Sequence, residues 1–135
     1  MSKSRLELLY LVNATLLITH EIDSGYWREW DLLHLPGGIQ LFLILHLGLL
    51  FVVLYGFGAL VRDRRSGLWF SLGLGGAGVA AFVIHATMLF RGHPEFRLPA
   101  SLAILGATLV VSLIQGVAAG RLLVHRESHR GEAAT

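Results

Sequence analysis

The chain has 135 residues, of which 54% are hydrophobic and 15% are charged; its formal net charge is +2 and it contains no cysteine. Soluble domains carry about 25% charged residues, so the composition argues against an ordinary soluble domain. The lack of cysteine excludes disulfides, thiolate metal ligands and cysteine nucleophiles. The small positive charge is no sign of nucleic-acid binding, because the basic residues cluster at the ends of apolar segments.

Four apolar segments predict an all-α fold, an integral membrane four-helix bundle. A bilayer core about 30 Å thick requires roughly 20 apolar residues of helix. The first segment is the weakest, because it is bracketed by Glu7 and His20; no small-residue cleavage site follows it, which favours a spanning helix over a signal peptide. The predicted spans are residues 6–23, 38–61, 68–90 and 99–122, within one domain over 1–124, followed by a polar cytoplasmic tail that frays over 125–135.

The distribution of arginine and lysine predicts how these spans are oriented. Eight basic residues lie near the two termini or in the loop at 62–67, whereas Arg28, Arg91 and Arg97 lie in the other two loops. By the positive-inside rule, both termini are expected in the cytoplasm and the protein in the inner membrane. The aromatic loop that begins at Ser24, and the loop at 91–98, then face outward. The aromatic loop is expected either to lie on the membrane or to fold over a site.

Polar and small residues recur at helical spacing and predict the inward faces of the spans. Ser101, Thr108, Ser112 and Gln115 share one face of the last span, and small residues follow one face of the third. Residues 73–78 match the pattern G-x-G-x-x-G. Because this match lies inside a continuous apolar span, with no preceding strand, it predicts a helix-packing surface and not a dinucleotide site.

Three histidines on separate spans are expected at one depth near the outward surface: His20, His46 and His85. Glu21 and Asp23 join them from the first span. Ionisable groups are costly inside a bilayer and mark functional sites. Imidazole and carboxylate groups suit a divalent metal, zinc above all. We therefore predict His20, His46, His85 and Asp23 as metal ligands, with Glu21 and Asp23 as catalytic groups of a zinc-dependent membrane hydrolase.

Other hypotheses remain open from the sequence alone. The histidines could instead hydrogen-bond to Asn13, Gln40, Thr87 and the carboxylates, and so hold together a scaffold or a subunit of a larger complex. His46 and His85 could ligate haem b, or serve with Glu21 as a proton relay. The expected partners are the lipid bilayer and a second copy or another membrane protein, with no nucleic acid.

The first third of the chain resembles an uncharacterised family of small bacterial membrane proteins. The resemblance rests on the run Asn13 to Ser24, which contains His-Glu-Ile-Asp, on residues 26–30, and on the run Leu35 to Gln40, which reads Leu-Pro-Gly-Gly-Ile-Gln. It implies the four-helix membrane fold and an importance of the His-Glu-Ile-Asp run. It implies no activity and no catalytic residue.

Overall fold

The computed structural model describes residues 2–93 and 97–132, and within these ranges it is helical with no strand. Five helices follow one another: α1 (Lys3–Tyr26), α2 (Glu29–Leu32), α3 (Gly38–Val61), α4 (Arg65–Phe90) and α5 (Pro99–Glu132). All but α2 are long. The all-α prediction is therefore confirmed over the described residues.

Three of the long helices are long and apolar enough to cross a membrane. These are α3, α4 and the part Pro99–Arg126 of α5. α1 is not among them, and it carries charged residues near both of its ends. At about 1.5 Å per residue, its 24 residues still extend over roughly 36 Å.

The bounds of α3 agree with the sequence prediction, and the other long helices extend beyond their predicted spans. α3 covers the predicted residues 38–61, whereas α1 extends beyond 6–23 in both directions. Over the predicted tail from residue 125, α5 continues as a helix to Glu132. Arg126 contributes to this extension by donating to the carboxylate of Asp63. That hydrogen bond also holds the pKa of the Asp63 carboxyl below its ordinary value.

Backbone geometry ends α4 and starts α5 as the sequence requires. Gly92 has a φ of 92°, a left-handed conformation that favours glycine. The backbone amides of Gly92 and His93 donate to the carbonyls of Leu89 and Met88, which is the Schellman arrangement at a helix end. Pro99 is the first residue of α5, where its missing amide proton costs nothing.

The long helices pack with α1 and α4 in contact at the centre. α3 and α5 both contact these two helices, and no contact between α3 and α5 occurs over the described residues. They therefore lie on opposite sides of the α1–α4 pair. α3 is the least buried long helix, since only Gly56, Ala59 and Leu60 are buried in it. The apolar core lies toward the end of the molecule where α1 begins, and includes Leu6, Tyr10, Leu60, Leu68 and Leu123.

A buried network of polar side chains connects α1, α4 and α5. The Asn13 amide donates to Gln115 Oε1 over 2.9 Å, and the Ser112 hydroxyl donates to Asn13 Oδ1 over 3.1 Å. The Gln115 amide donates to both the carbonyl and the hydroxyl oxygen of Ser71 over 3.0 Å. All four side chains are at most 1% exposed. The predicted inward faces of these helices are therefore confirmed.

Glycines on α4 allow this close approach. A Cβ atom placed on Gly78 would lie 2.0 Å from Ser112 Oγ and 3.0 Å from Thr108 Cγ2. On Gly75 it would lie 3.0 Å from the Ser112 carbonyl oxygen. The G-x-G-x-x-G match lies in the interior of α4, with no strand before it. It is a packing surface, as predicted.

We expect Gly78→Ala to destabilise the protein by about 1–3 kcal/mol, the usual cost of overpacking a core. Ser112 cannot rotate away from the added methyl group without losing its hydrogen bond to Asn13. Gly76→Ala is the matched control, because nothing lies within 4 Å of a Cβ at that position. Unfolding in detergent, followed by circular dichroism, measures both. Equal stabilities of the two variants would contradict the packing described here.

Candidate functional site

Helices α1 and α4 end, and α3 begins, at one end of the molecule, here called the α2 end. The short helix α2 lies against the start of α3 there. Trp30 of α2 is buried, and its ring lies 5.2 Å from that of Phe42 between centroids. The amide of Leu35 donates to the Trp30 carbonyl over 2.8 Å, which closes the turn after α2. The aromatic loop thus folds over the α2 end.

Glu21 and His46 form a direct pair between α1 and α3. His46 Nε2 lies 2.6 Å from Glu21 Oε2, and His46 Nδ1 lies 2.6 Å from the Phe42 carbonyl oxygen. The Phe42 ring also stacks on the imidazole at 3.8 Å between centroids. Both side chains are partly exposed, at 25% for His46 and 34% for Glu21. This pair can hold or move a proton at the surface of the packed helices.

A second, more buried group joins α1, α2 and α4. His85 Nε2 lies 3.6 Å from Glu29 Oε1, and His85 Nδ1 donates to the Ala81 carbonyl over 2.9 Å. His20 meets the edge of the His85 ring, with the centroids 4.3 Å apart. His20 and His85 are 3% and 2% exposed. The Glu21–His46 and Glu29–His85 pairs, here called the two carboxylate–histidine pairs, therefore share one arrangement. In each pair, the histidine Nδ1 is directed to the carbonyl four residues earlier and Nε2 is directed to the glutamate.

The structure brings His20 and His85 together and places His46 with Glu21 instead. Among the side chains that the structure describes, no group of three or more histidine, aspartate or glutamate residues is arranged to hold a metal ion. The predicted convergence of His20, His46, His85 and Asp23 is therefore not found in the described chain. The physical reason is that neighbouring residues on a helix point about 100° apart. When His20 faces α4, Glu21 turns toward α3 and meets His46.

The hydrogen-bond partners expected for the histidines are partly correct. Carboxylates do face His46 and His85, as one hypothesis required. Asn13 was wrong as a partner, since its hydrogen bonds go to Gln115 and Ser112. Thr87 was also wrong, because its hydroxyl donates to the Val83 carbonyl.

Haem b and zinc stay predictions from the sequence. Haem ligation by His46 and His85 needs two ring nitrogens that face a shared iron. Here each Nε2 faces a different glutamate, so the described geometry adds no support to this hypothesis. Nor does it supply the open three-ligand geometry of a catalytic zinc site.

Three buried polar atoms at the end of α1 have no hydrogen bond from the described residues. They are Asp23 Oδ2, Ser24 Oγ and Trp27 Nε1. Buried polar groups are almost always satisfied in proteins, often by an internal water molecule. Asp23, which was predicted as a ligand and a catalytic group, therefore has one buried oxygen without a hydrogen bond from the described residues, and it is not part of the Glu21–His46 pair.

A cavity of about 200 Å³, here called the α2 cavity, lies between α2 and the start of α3. Its walls include Glu21, His46, Glu29, Trp30 and Phe42, and the remaining lining residues are apolar, glycine or proline. Both glutamates of the two carboxylate–histidine pairs thus border the same space.

A second cavity of about 300 Å³, here called the apolar groove, lies between α1, α3 and α4. Glu21 and His46 line one part of it, and its other lining side chains are apolar or glycine. Ile22 and Leu50 in its walls are 69% and 40% exposed, so the groove opens to the surroundings. Toward its far end, the Tyr10 hydroxyl donates to the carbonyl of the lining residue Val53 over 2.8 Å.

Sequence reasoning missed Glu29, Trp30 and Phe42 as site residues. Glu29 and Trp30 follow the end of α1 at Tyr26, and an acidic residue between tryptophans was an available signal. Phe42 lies four residues before His46 on the same helix face. Its spacing from the expected site at His46 is the only sequence signal for Phe42. None of these residues belongs to the His-Glu-Ile-Asp run of α1.

We expect the neutral rings of His46 and His85 to carry their proton on Nδ1, because a backbone carbonyl only accepts hydrogen bonds. Nitrogen-15 NMR of histidine-labelled protein in detergent measures this, with peaks assigned by single His→Gln substitutions. The exposed His34 is the internal control and should show no fixed tautomer. An unprotonated Nδ1 on either neutral ring would contradict the hydrogen bonds described here.

The family comparison covers most of the chain. A family of unknown function, DUF6713, matches residues 6–122. This range contains both carboxylate–histidine pairs and all four long helices in whole or in large part. No curated protein and no solved structure matches the chain. The chain belongs to the DUF6713 family of unknown function, which confirms the resemblance to an uncharacterised family without a known activity.

Proposed function

We propose that this protein crosses the inner membrane four times and binds an amphipathic ligand at its α2 end, which faces outward. The lipid bilayer is its first partner. α1 serves as the fourth span because its polar residues are sheltered by the other helices. Asn13 and His20 are buried against α4 and α5, so lipid does not meet them.

The distribution of basic residues supports the proposed orientation, with the α2 end facing outward. Lys3, Arg62, Arg64, Arg65 and Arg126 all lie at the end opposite α2. Lys3 donates to the Val61 carbonyl over 2.9 Å, so the start of α1 lies beside the end of α3. Basic residues are retained on the cytoplasmic side of inner-membrane proteins.

Single cysteines test the topology, because the chain has none of its own. We expect His34→Cys to react with a membrane-impermeant maleimide on cells whose outer membrane is permeabilised. Ser4→Cys and Ser66→Cys should react only after the inner membrane is broken. All three positions are exposed in the structure. Equal labelling of Ser4→Cys and His34→Cys would mean that α1 does not span, and the reverse pattern would invert the orientation.

The ligand proposal is carried by one observation: the Glu21–His46 pair lies in the wall of an apolar groove that opens between helices. Ligand pockets are typically apolar, with a few polar groups that fix orientation. Here the polar groups are the 2.6 Å pair, and the groove supplies apolar contact over two to three helical turns. A molecule with one polar group and one hydrocarbon chain matches this distribution.

The bilayer gives such a ligand access to the site. Ile18, Ile22 and Leu50 line the groove and are exposed on its outer side. A hydrocarbon chain can enter sideways from lipid without crossing water. The Glu21–His46 pair then offers a hydrogen-bond acceptor and a transferable proton to the polar group, so the same arrangement is capable of acid–base chemistry on the bound molecule.

Filling the groove tests the proposal. We expect Leu50→Trp to lower photocrosslinking by a dodecyl chain that carries a diazirine by about tenfold, because the larger side chain takes the place of the hydrocarbon. The measurement uses purified protein in maltoside micelles, with adducts located by mass spectrometry. Wild-type adducts should fall on groove residues of α1 and α3.

Leu47→Trp is the matched control. Leu47 lies on the same helix, is 71% exposed and does not line the groove. It should crosslink like the wild type. Adducts spread evenly over the exposed faces of α3 and α5, or equal yields in the two tryptophan variants, would overturn the binding proposal.

A further inference from the structure

Resting on that proposed function, we propose that the α2 cavity binds a cationic amine or quaternary ammonium group, held by the carboxylates of Glu21 and Glu29 and by the rings of Trp30 and Phe42. The ligand is then a cationic amphiphile, with its chain in the apolar groove and its charged end in the α2 cavity. The two spaces share Glu21, Phe42, His46 and Leu49 as lining residues, which makes them neighbours across one wall.

The carboxylates determine the sign of charge that fits. Glu21 and Glu29 both line the α2 cavity, and no lysine or arginine is among its lining residues in the described chain. The nearest basic residue in sequence, Arg28, is paired with Asp31 over 2.9 Å. The described lining therefore offers two carboxyl groups and no lysine or arginine side chain to a ligand. An anionic group is disfavoured there by like-charge repulsion.

The aromatic rings favour an organic cation over an inorganic one. Trp30 and Phe42 are inclined at 57° with their centroids 5.2 Å apart, and both border the cavity. Aromatic faces attract ammonium groups through their quadrupole, and tryptophan does so best. A metal ion instead needs several converging ligand atoms, and the described residues contain no such group.

The shape of the cavity agrees with a compact head group. Its volume is about 200 Å³, below the range of about 300–1,000 Å³ that is usual for drug-sized ligands. Apolar side chains, including Leu33 and Leu41, form much of the remaining wall. Methyl groups of an alkylated ammonium contact such a wall favourably, whereas a strongly hydrated cation does not.

Three dodecyl compounds that differ in their head groups test this inference. Dodecyltrimethylammonium, dodecanol and dodecyl sulfate compete with the photoreactive dodecyl probe for the purified full chain. Maltoside micelles are used because they carry no ammonium group, and each concentration is referred to the micellar phase. We expect the ammonium compound to compete about tenfold more strongly than the other two, a difference of about 1.4 kcal/mol.

Substitutions in the α2 cavity locate the preference. Glu29→Gln and Trp30→Leu should each remove most of the ammonium preference, while competition by dodecanol stays as in the wild type, because neither residue lines the groove. Asp31→Asn is the matched control. Asp31 is an acidic residue of α2 that pairs with Arg28 and does not line the cavity, so it should retain the full preference.

The possible outcomes separate the two proposals. Equal competition by dodecanol and the ammonium compound overturns the cation inference while the groove proposal stands. Loss of preference in Asp31→Asn to the same extent as in Glu29→Gln also overturns it, since the effect would then be general surface charge. Failure of every dodecyl compound to displace the probe overturns both.

Discussion

The buried hydrogen bonds between Asn13, Gln115, Ser112 and Ser71 are the constraint on which the rest of the structure depends. Polar side chains inside an apolar bundle must find partners within the protein, because neither lipid nor apolar neighbours can supply them. Each amide here meets its partner on a different helix. These bonds fix how far α1, α4 and α5 can rotate or slide against one another.

That fixed rotation determines where the site residues point. His20 follows Asn13 by seven residues, two turns of helix, so the face that bonds to α5 also carries His20 toward the centre. His85 follows Ser71 by fourteen residues on α4, close to the same face. The two buried histidines meet for this reason, at 4.3 Å between ring centroids. Glu21, about 100° further round α1, is left to face α3 and His46.

The sequence was sufficient for the bounds of α3 and for the inward faces of the helices. Charge-free runs predicted the ends of α3, and the spacing of Ser101, Thr108, Ser112 and Gln115 predicted the buried face of α5, because both depend only on the local pattern. The continuation of α5 to Glu132 was not predictable in the same way. It involves a hydrogen bond between Arg126 and Asp63, which are 63 residues apart.

The sequence predicted how far along the helices the site residues lie, but not toward which neighbouring helix their side chains point. Counting residues along each span placed His20, His46 and His85 at the same end of the molecule, where all three lie. Which of them meet depends on the order of helices around the α1–α4 pair, and that order is set by packing across the whole chain. α3 and α5 lie on opposite sides of the α1–α4 pair. His46 on α3 is therefore separate from the His20–His85 contact, which lies between α1 and α4. The position of α2 over the site depends equally on a distant contact, that of Trp30 with Phe42.

The shape of the apolar groove follows from two polar contacts between α1 and α3. Tyr10 bonds to Val53 at one level and Glu21 to His46 at another, about 10–16 Å apart by helical rise. Just beyond the first contact, Gly56 lets Tyr10 and Phe70 approach closely; a Cβ there would lie 2.5 Å from the Tyr10 hydroxyl. Between the two contacts, the described residues form no further hydrogen bond between α1 and α3, and apolar side chains border an open space. The pair that would recognise a polar group is therefore also the pair that closes one end of the groove, so a ligand that engages Glu21 and His46 necessarily alters how α3 is held against α1.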